Sequence, residues 1–164
     1  MKYLRFSGLT LIELMIVVVV IGLLAAFSYP SYRNWVTQTR RSDAQIALTQ
    51  IASQQEKYFT EYGHYAVALT GAKTAGTGPG YTDSVLGLTS ALSPDGHYAV
   101  SVVAPTAGIG GCPIISCFNI IADPNDAAAS TLQKNNGKLR LNSLGVKQWD
   151  KANDASYSAK WTDK

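Results

Sequence analysis

The chain has 164 residues, 46% of them hydrophobic and 15% charged, with a formal net charge of +3. This balance excludes a disordered chain and leaves one domain of ordinary size once a membrane-length segment is set aside. Residues 42–133 hold two Lys/Arg against seven Asp/Glu, whereas residues 134–164 hold seven against three. A basic C-terminal third is a footprint for an anionic partner.

Residues 1–8 form a short basic leader with Lys2 and Arg5, ending in Gly8. Leu9 to Tyr29 follows as 21 nearly unbroken apolar residues, about 31 Å of helix and the thickness of a bilayer core. A plain anchor does not explain Glu13, because an acid inside such a helix costs about 2.5–3.5 kcal/mol near its centre. A cut between Gly8 and Leu9 would create a cationic amine four residues ahead of Glu13. Conventional secretion is the competing reading, with Ala26-Phe27-Ser28 as a weak signal-peptidase site. The apolar run is too long for it, contains an acid and continues into further helix.

Pro30 predicts a bend near Ser28 to Ser31. From Tyr32 the pattern becomes one-sided: Ala44, Ala47, Leu48, Ile51, Gln55 and Tyr58 recur at helical spacing. Arg40, Arg41, Gln45 and Gln50 fall on the opposite, solvated side, and Gly63 is a C-cap. A loop is expected over residues 66–95, with helical turns around Ser84 to Leu92. Lys73-Thr74 among glycines is not a phosphate loop, since Ala72 stands where Gly is needed. Strand character follows at His97–Val103, Ile114–Ala122, Lys138–Asn142 and Val146–Trp149, with a turn at Asn136-Gly137. The fold class is therefore α+β, a long N-terminal helix packed on a roughly four-stranded antiparallel sheet. Cys112 and Cys117 fit no metal pattern. They favour a small disulfide-closed loop over two free buried thiols, provided the residues between them turn sharply.

Gly8-Leu9-Thr10-Leu11-Ile12-Glu13, followed by the apolar helix and Pro30, resembles the class III prepilin signature of type IV pilins. The resemblance implies a leader at 1–8, a transmembrane and filament-core helix at 9–30, and a globular head at 31–164 in a pilin roll. It implies cleavage after Gly8 by the prepilin peptidase, N-methylation of Leu9, and assembly roles for Glu13 and Pro30. Its partners would be other pilin subunits and the inner-membrane assembly platform. The head would be periplasmic on a single-pass inner-membrane protein before assembly, and belong to an extracellular pilus afterwards. Leu9 stands where most members carry Phe. The strand order resembles the minor-pilin and DNA-uptake branch, where a Cys pair usually closes the C-terminal segment. This chain has no Cys after Cys117, so packing by Trp149, Tyr157 and Trp161 is expected to replace it.

No enzyme is legible: His64 and His97 lie in no nucleophile or metal motif, and no cofactor or metal site is expected. The main functional reading is a structural pilus subunit serving adhesion, twitching motility or DNA uptake. Beside it stands a DNA-binding minor pilin for natural transformation. Its candidate DNA contacts are Lys134, Lys138, Arg140, Lys147, Lys151 and Lys160, interleaved with Trp149, Tyr157 and Trp161. A solvated basic tail is the simpler account of those residues. A type II secretion pseudopilin shares the N-terminal signature, but the acidic calcium site expected of it is not evident.

Overall fold

The computed structural model describes residues 10–77, 83–103 and 116–163. Gly8, Leu9 and Cys112 lie outside the described residues. The long helix, α1, runs Leu11–Tyr62 without interruption at Pro30. The chain divides into two compact units, Met1–Gln38 and Thr39–Lys164.

In the first unit every described side chain from residue 10 to residue 35 is exposed. This is the apolar stretch, with a window of mean hydropathy 2.7 that is entirely unburied. By length and composition it is able to cross a membrane.

In the second unit the helix buries Arg41, Asp43, Ala44, Ala47, Leu48, Ile51, Gln55 and Tyr58. These positions recur at intervals of three and four, as a helix laid on a core requires. Its end is made by Gly63, whose φ of 77° is the left-handed conformation favoured by glycine. The Gly63 N–H donates to the carbonyl of Phe59 at 2.8 Å.

The region expected to be a loop contains two short strands, β1 (Ala68–Thr70) and β2 (Val85–Leu88), paired in parallel. Extended pairing thus replaces the helical turns expected near Ser84 to Leu92. Leu69 and Leu86 enter the core, and Gly87, with φ 90°, brings its backbone against Lys73. Positive φ there disfavours helix.

The main sheet has five strands rather than four: β3 (Ala99–Val103), β4 (Asn119–Asp123), β5 (Lys138–Asn142), β6 (Lys147–Asp150) and β7 (Ala159–Lys160), antiparallel in that order. β7 has two residues, too few to show alternation. Register sets one face: Val100 opposes Ala122, Ile120 opposes Leu141, and Leu139 opposes Trp149. These side chains join Ala44, Leu48, Ile51 and Tyr58 of α1 in one core. The fold is a long N-terminal helix packed on an antiparallel sheet.

Side chains tie the helix to the loops around the sheet where apolar packing alone would leave backbone groups unpaired. Buried Gln55 donates to the Ala66 carbonyl and accepts its N–H, both at 2.9 Å. Asp43, also buried, accepts the Ser93 hydroxyl at 2.5 Å and the Asp95 N–H at 3.0 Å. Arg41 departs from its expected solvated position: it is buried and lies 3.6 Å from the centre of the Trp149 ring. It donates to the Asp163 carbonyl and the Asn136 side chain. A guanidinium is weakly hydrated and stacks well on indole, so burial is tolerated, although it lowers the Arg41 pKa.

Candidate functional site

Glu13 sits in the first turn of α1, and its partner there is Thr10. The Glu13 N–H donates to Thr10 Oγ1 at 3.3 Å, while the Thr10 N–H reaches Glu13 Oε2 at 3.5 Å. This reciprocal pattern is a capping box, which satisfies helix-terminal donors with the side chains of residues three apart. The acid that a bilayer would penalise therefore faces the start of its own helix. Pro30 lies inside the same exposed stretch.

The six candidate DNA contacts separate into different environments. Lys138 forms an ion pair with Asp123 at 2.7 Å, and that hydrogen bond holds its ammonium above the usual pKa. Arg140 is buried, forks onto Gln148 Oε1 at 2.6 and 3.2 Å, and lies 4.1 Å from the Tyr157 ring centre. Burial in turn pushes the Tyr157 phenol upward. Both cations already have partners within the head. Lys151 lies 5.5 Å from the Trp149 ring centre, and Lys134 follows a 3-10 turn at Thr131–Gln133.

Lys147 and Lys160 are different. They stand on β6 and β7, the last two strands of the sheet, exposed, and neither has an ion-pair partner among the described residues. Two grooves flank Trp161 at this edge. One, of about 370 Å³, is lined by Ser42, Gln45, Ile46, Thr49, Gln50, Lys147 and Trp161. The other, of about 390 Å³, includes Val146, Lys147, Gln148, Tyr157, Lys160 and Trp161. No acidic residue lines either groove. The neighbouring Asp163 turns its carboxylate onto the Lys160 backbone N–H at 2.6 Å. The Trp161 indole donates to the Gln148 carbonyl at 2.9 Å and carries Lys147 Nζ at 5.3 Å from its centre. Two unneutralised cations, amide side chains and aromatic rings without carboxylates suit an anionic polymer such as nucleic acid.

Sequence reading placed Gln45 and Gln50 on a solvated helix face and gave no sign that they meet residues 147 and 161. Trp149 and Trp161 do close the C-terminal segment by packing, with the Trp149 indole donating to the Asn136 carbonyl at 2.9 Å. Cys117 is buried and disulfide-bonded. Among the described residues no His/Cys/Asp/Glu group suited to a metal ion occurs.

Comparison with known proteins gives two family matches. Residues 4–29 match the prokaryotic N-terminal methylation motif. Residues 30–134 match the family described as "Type IV minor pilin ComP, DNA uptake sequence receptor". The chain is 32% identical over 108 residues to the type IV major pilin protein PilA of Myxococcus xanthus, covering 64% of this chain and 47% of that protein. It is 29% identical to a type IV major fimbrial protein FimA of Dichelobacter nodosus, over 79% of this chain and 72% of the other. The fimbrial protein EcpC of Eikenella corrodens is 33% identical over 64% of this chain and 58% of its own length. The match thus spans about half of the Myxococcus protein. A solved type IV pilin from Shewanella oneidensis is 20% identical, covering 68% of this chain and 89% of that one at a TM-score of 0.35. With the methylation motif matched over residues 4–29 and the minor-pilin family over residues 30–134, the chain belongs to the type IV pilins, in the family of the minor pilin ComP, the DNA uptake sequence receptor.

Proposed function

We propose that this chain is a minor pilin that takes up duplex DNA, inserted and assembled by its apolar helix and contacting DNA through the Lys147–Lys160 edge of its head. The observation that carries the reading is the family match over residues 30–134. It favours DNA uptake over a purely structural, adhesive or motility role. The prepilin peptidase cuts after Gly8 and methylates the new terminus at Leu9. The leader is residues 1–8, the membrane and filament-core segment residues 9–30, and the head residues 31–164. Before assembly the head is periplasmic; afterwards it is displayed on an extracellular pilus among other pilin subunits. In the filament core Glu13 exchanges its capping role for the Leu9 amine of a neighbouring subunit, since a carboxylate in an apolar bundle is penalised until it meets a cation.

The edge reading draws on charge. Lys147 and Lys160 supply phosphate contacts without competing carboxylates, and Gln45, Gln50 and Gln148 supply amide groups beside them. The test is a salt series of DNA binding with the full chain in detergent. The wild type retards duplex DNA, and log K falls linearly with log salt; Lys147→Ala and Lys160→Ala each reduce that slope by about 0.9. No retardation at low salt overturns DNA binding. Retardation with unchanged slopes in both variants removes the edge from it.

A further inference from the structure

The hairpin joining β5 and β6 carries Leu144 at its tip, 84% exposed, the most exposed large apolar side chain among the described residues. Turn positions favour Gly, Asn, Asp or Ser, and Leu144 departs from that preference. Nor is it loosely held. The Asn142 side-chain oxygen accepts the N–H groups of Leu144 at 3.1 Å and Val146 at 2.8 Å. The Gly145 N–H donates to the Asn142 carbonyl at 2.9 Å, and the Ser143 N–H to the Phe118 carbonyl at 3.0 Å. Gly145 adopts φ 74°, which closes the turn at little steric cost. The tip is thus a fixed support that holds one apolar side chain out in water.

Val146 and Lys147 follow directly, leading into the two acid-free grooves beside Trp161. An apolar side chain held ahead of unpaired lysines is the arrangement by which proteins enter the minor groove, unstack adjacent base pairs and bend the duplex, while cations hold the phosphates. DNA brings phosphates along its whole length to the exposed Lys147 and Lys160.

The geometry points to Leu144 as a wedge that inserts between base pairs of the bound duplex and kinks it. This rests on the DNA-binding reading above and adds how the duplex is deformed and which sequences bind best. Residues 143–146 lie beyond the 30–134 family match, so the role is read from this chain's own hairpin. A wedge works most cheaply at pyrimidine–purine steps, which unstack readily, and least well at stiff A-tracts.

The test uses the full chain in detergent micelles and duplexes of about 25 bp labelled at both ends, one with a central TA step and one with an A-tract. Wild type is expected to bend the TA duplex by about 20–90°, raising energy transfer between the ends, and to prefer it over the A-tract. Leu144→Ala lowers affinity for the TA duplex by roughly tenfold and abolishes both the bend and the preference. The salt slope stays as in wild type, because no phosphate contact is removed. Leu144→Phe, which keeps an apolar wedge, restores bend and preference. The side chain is solvated, so neither variant threatens the fold. Wild-type binding with bend and affinity untouched in Leu144→Ala overturns the wedge and leaves DNA binding standing. A loss of Leu144→Ala from sheared filaments with bending intact gives the leucine to a subunit contact, and overturns it equally. Absence of wild-type binding to either duplex overturns both readings at once.

Discussion

The same helix is built from the same kinds of apolar residue in two units with opposite fates. In residues 10–35 valines, leucines and isoleucines are all exposed, and no internal core forms. In the unit from Thr39 onward, Leu48 and Ala44 are fully buried, in one core with residues from all the longer strands of the main sheet. The first unit carries apolar surface all round, which only lipid or other apolar helices can cover. The second carries a stripe that its own chain covers. Stability of the first is therefore a property of an assembly, and stability of the second a property of the fold. Changes in one unit should leave the other's readout untouched.

The sharpest test of that separation is Glu13→Ala. The amount of this chain in sheared filaments should drop roughly tenfold or more, since the alanine has no buried carboxylate seeking an amine and nothing then penalises a wrong register. Circular dichroism of the head should be unchanged. Normal incorporation of the variant into filaments would remove Glu13 from assembly, and a lost head signal would break the separation between the units.

The converse change is Gly137→Ala. Gly137 has φ 80°, and a methyl there would lie 2.2 Å from the Asp150 carbonyl oxygen and 2.6 Å from Trp149 Nε1. Backbone and a packed indole leave no room, so the head should lose about 3 kcal/mol, on the order of 10 °C in Tm. Membrane insertion of the apolar helix should persist. A melt within a degree or two of wild type would mean that the β5–β6 end relaxes more readily than its contacts suggest.

The distinction between the units was legible in the sequence because it is local: unbroken apolar residues, then a stripe at three and four. The N-terminal signature was legible for the same reason. Arg41 was misread by residue type, although its position was informative, since 41, 44, 48, 51, 55 and 58 continue one buried stripe. Its acceptability depends on Trp149, more than one hundred residues away. The parallel pair β1–β2 and the two-residue β7 exist through pairing and leave almost no periodicity of their own. The edge grooves were not legible at all, because they join helix residues 42–50 to residues 147 and 161. Among six basic candidates, sequence could not tell the committed Lys138 and Arg140 from the unpaired Lys147 and Lys160.

Asp43→Ala is a milder probe of the second unit. It strands the Ser93 hydroxyl and the Asp95 N–H, both now bonded to the carboxylate. A loss of about 1–3 kcal/mol is expected, and less for Asp43→Asn, which keeps an acceptor. Urea unfolding of the full chain in detergent, followed by tryptophan fluorescence, reads this. An unaffected midpoint would show that water substitutes for the acid.

The smallest effect expected is confined to alkaline solution and to the head. Burial, together with a hydrogen bond from its hydroxyl to Glu56 at 3.1 Å, raises the Tyr65 pKa from its ordinary 10 to about 12. The folded state then holds a proton that the unfolded state releases. The resulting stability is present in full below pH 10 and is lost as pH rises through about 12. Tyr58, Tyr98 and Tyr157 are shifted the same way, so Tyr65→Phe should flatten the alkaline limb without removing it. At neutral pH the substitution costs about 0.5–1.5 kcal/mol for the lost hydrogen bond. Melts at about pH 9 and about pH 11 compare the two proteins. If the phenylalanine variant lost as much stability between them as wild type, the Tyr65 hydroxyl would be ionising freely, and its burial against Phe59 and Phe118 would not be felt in solution.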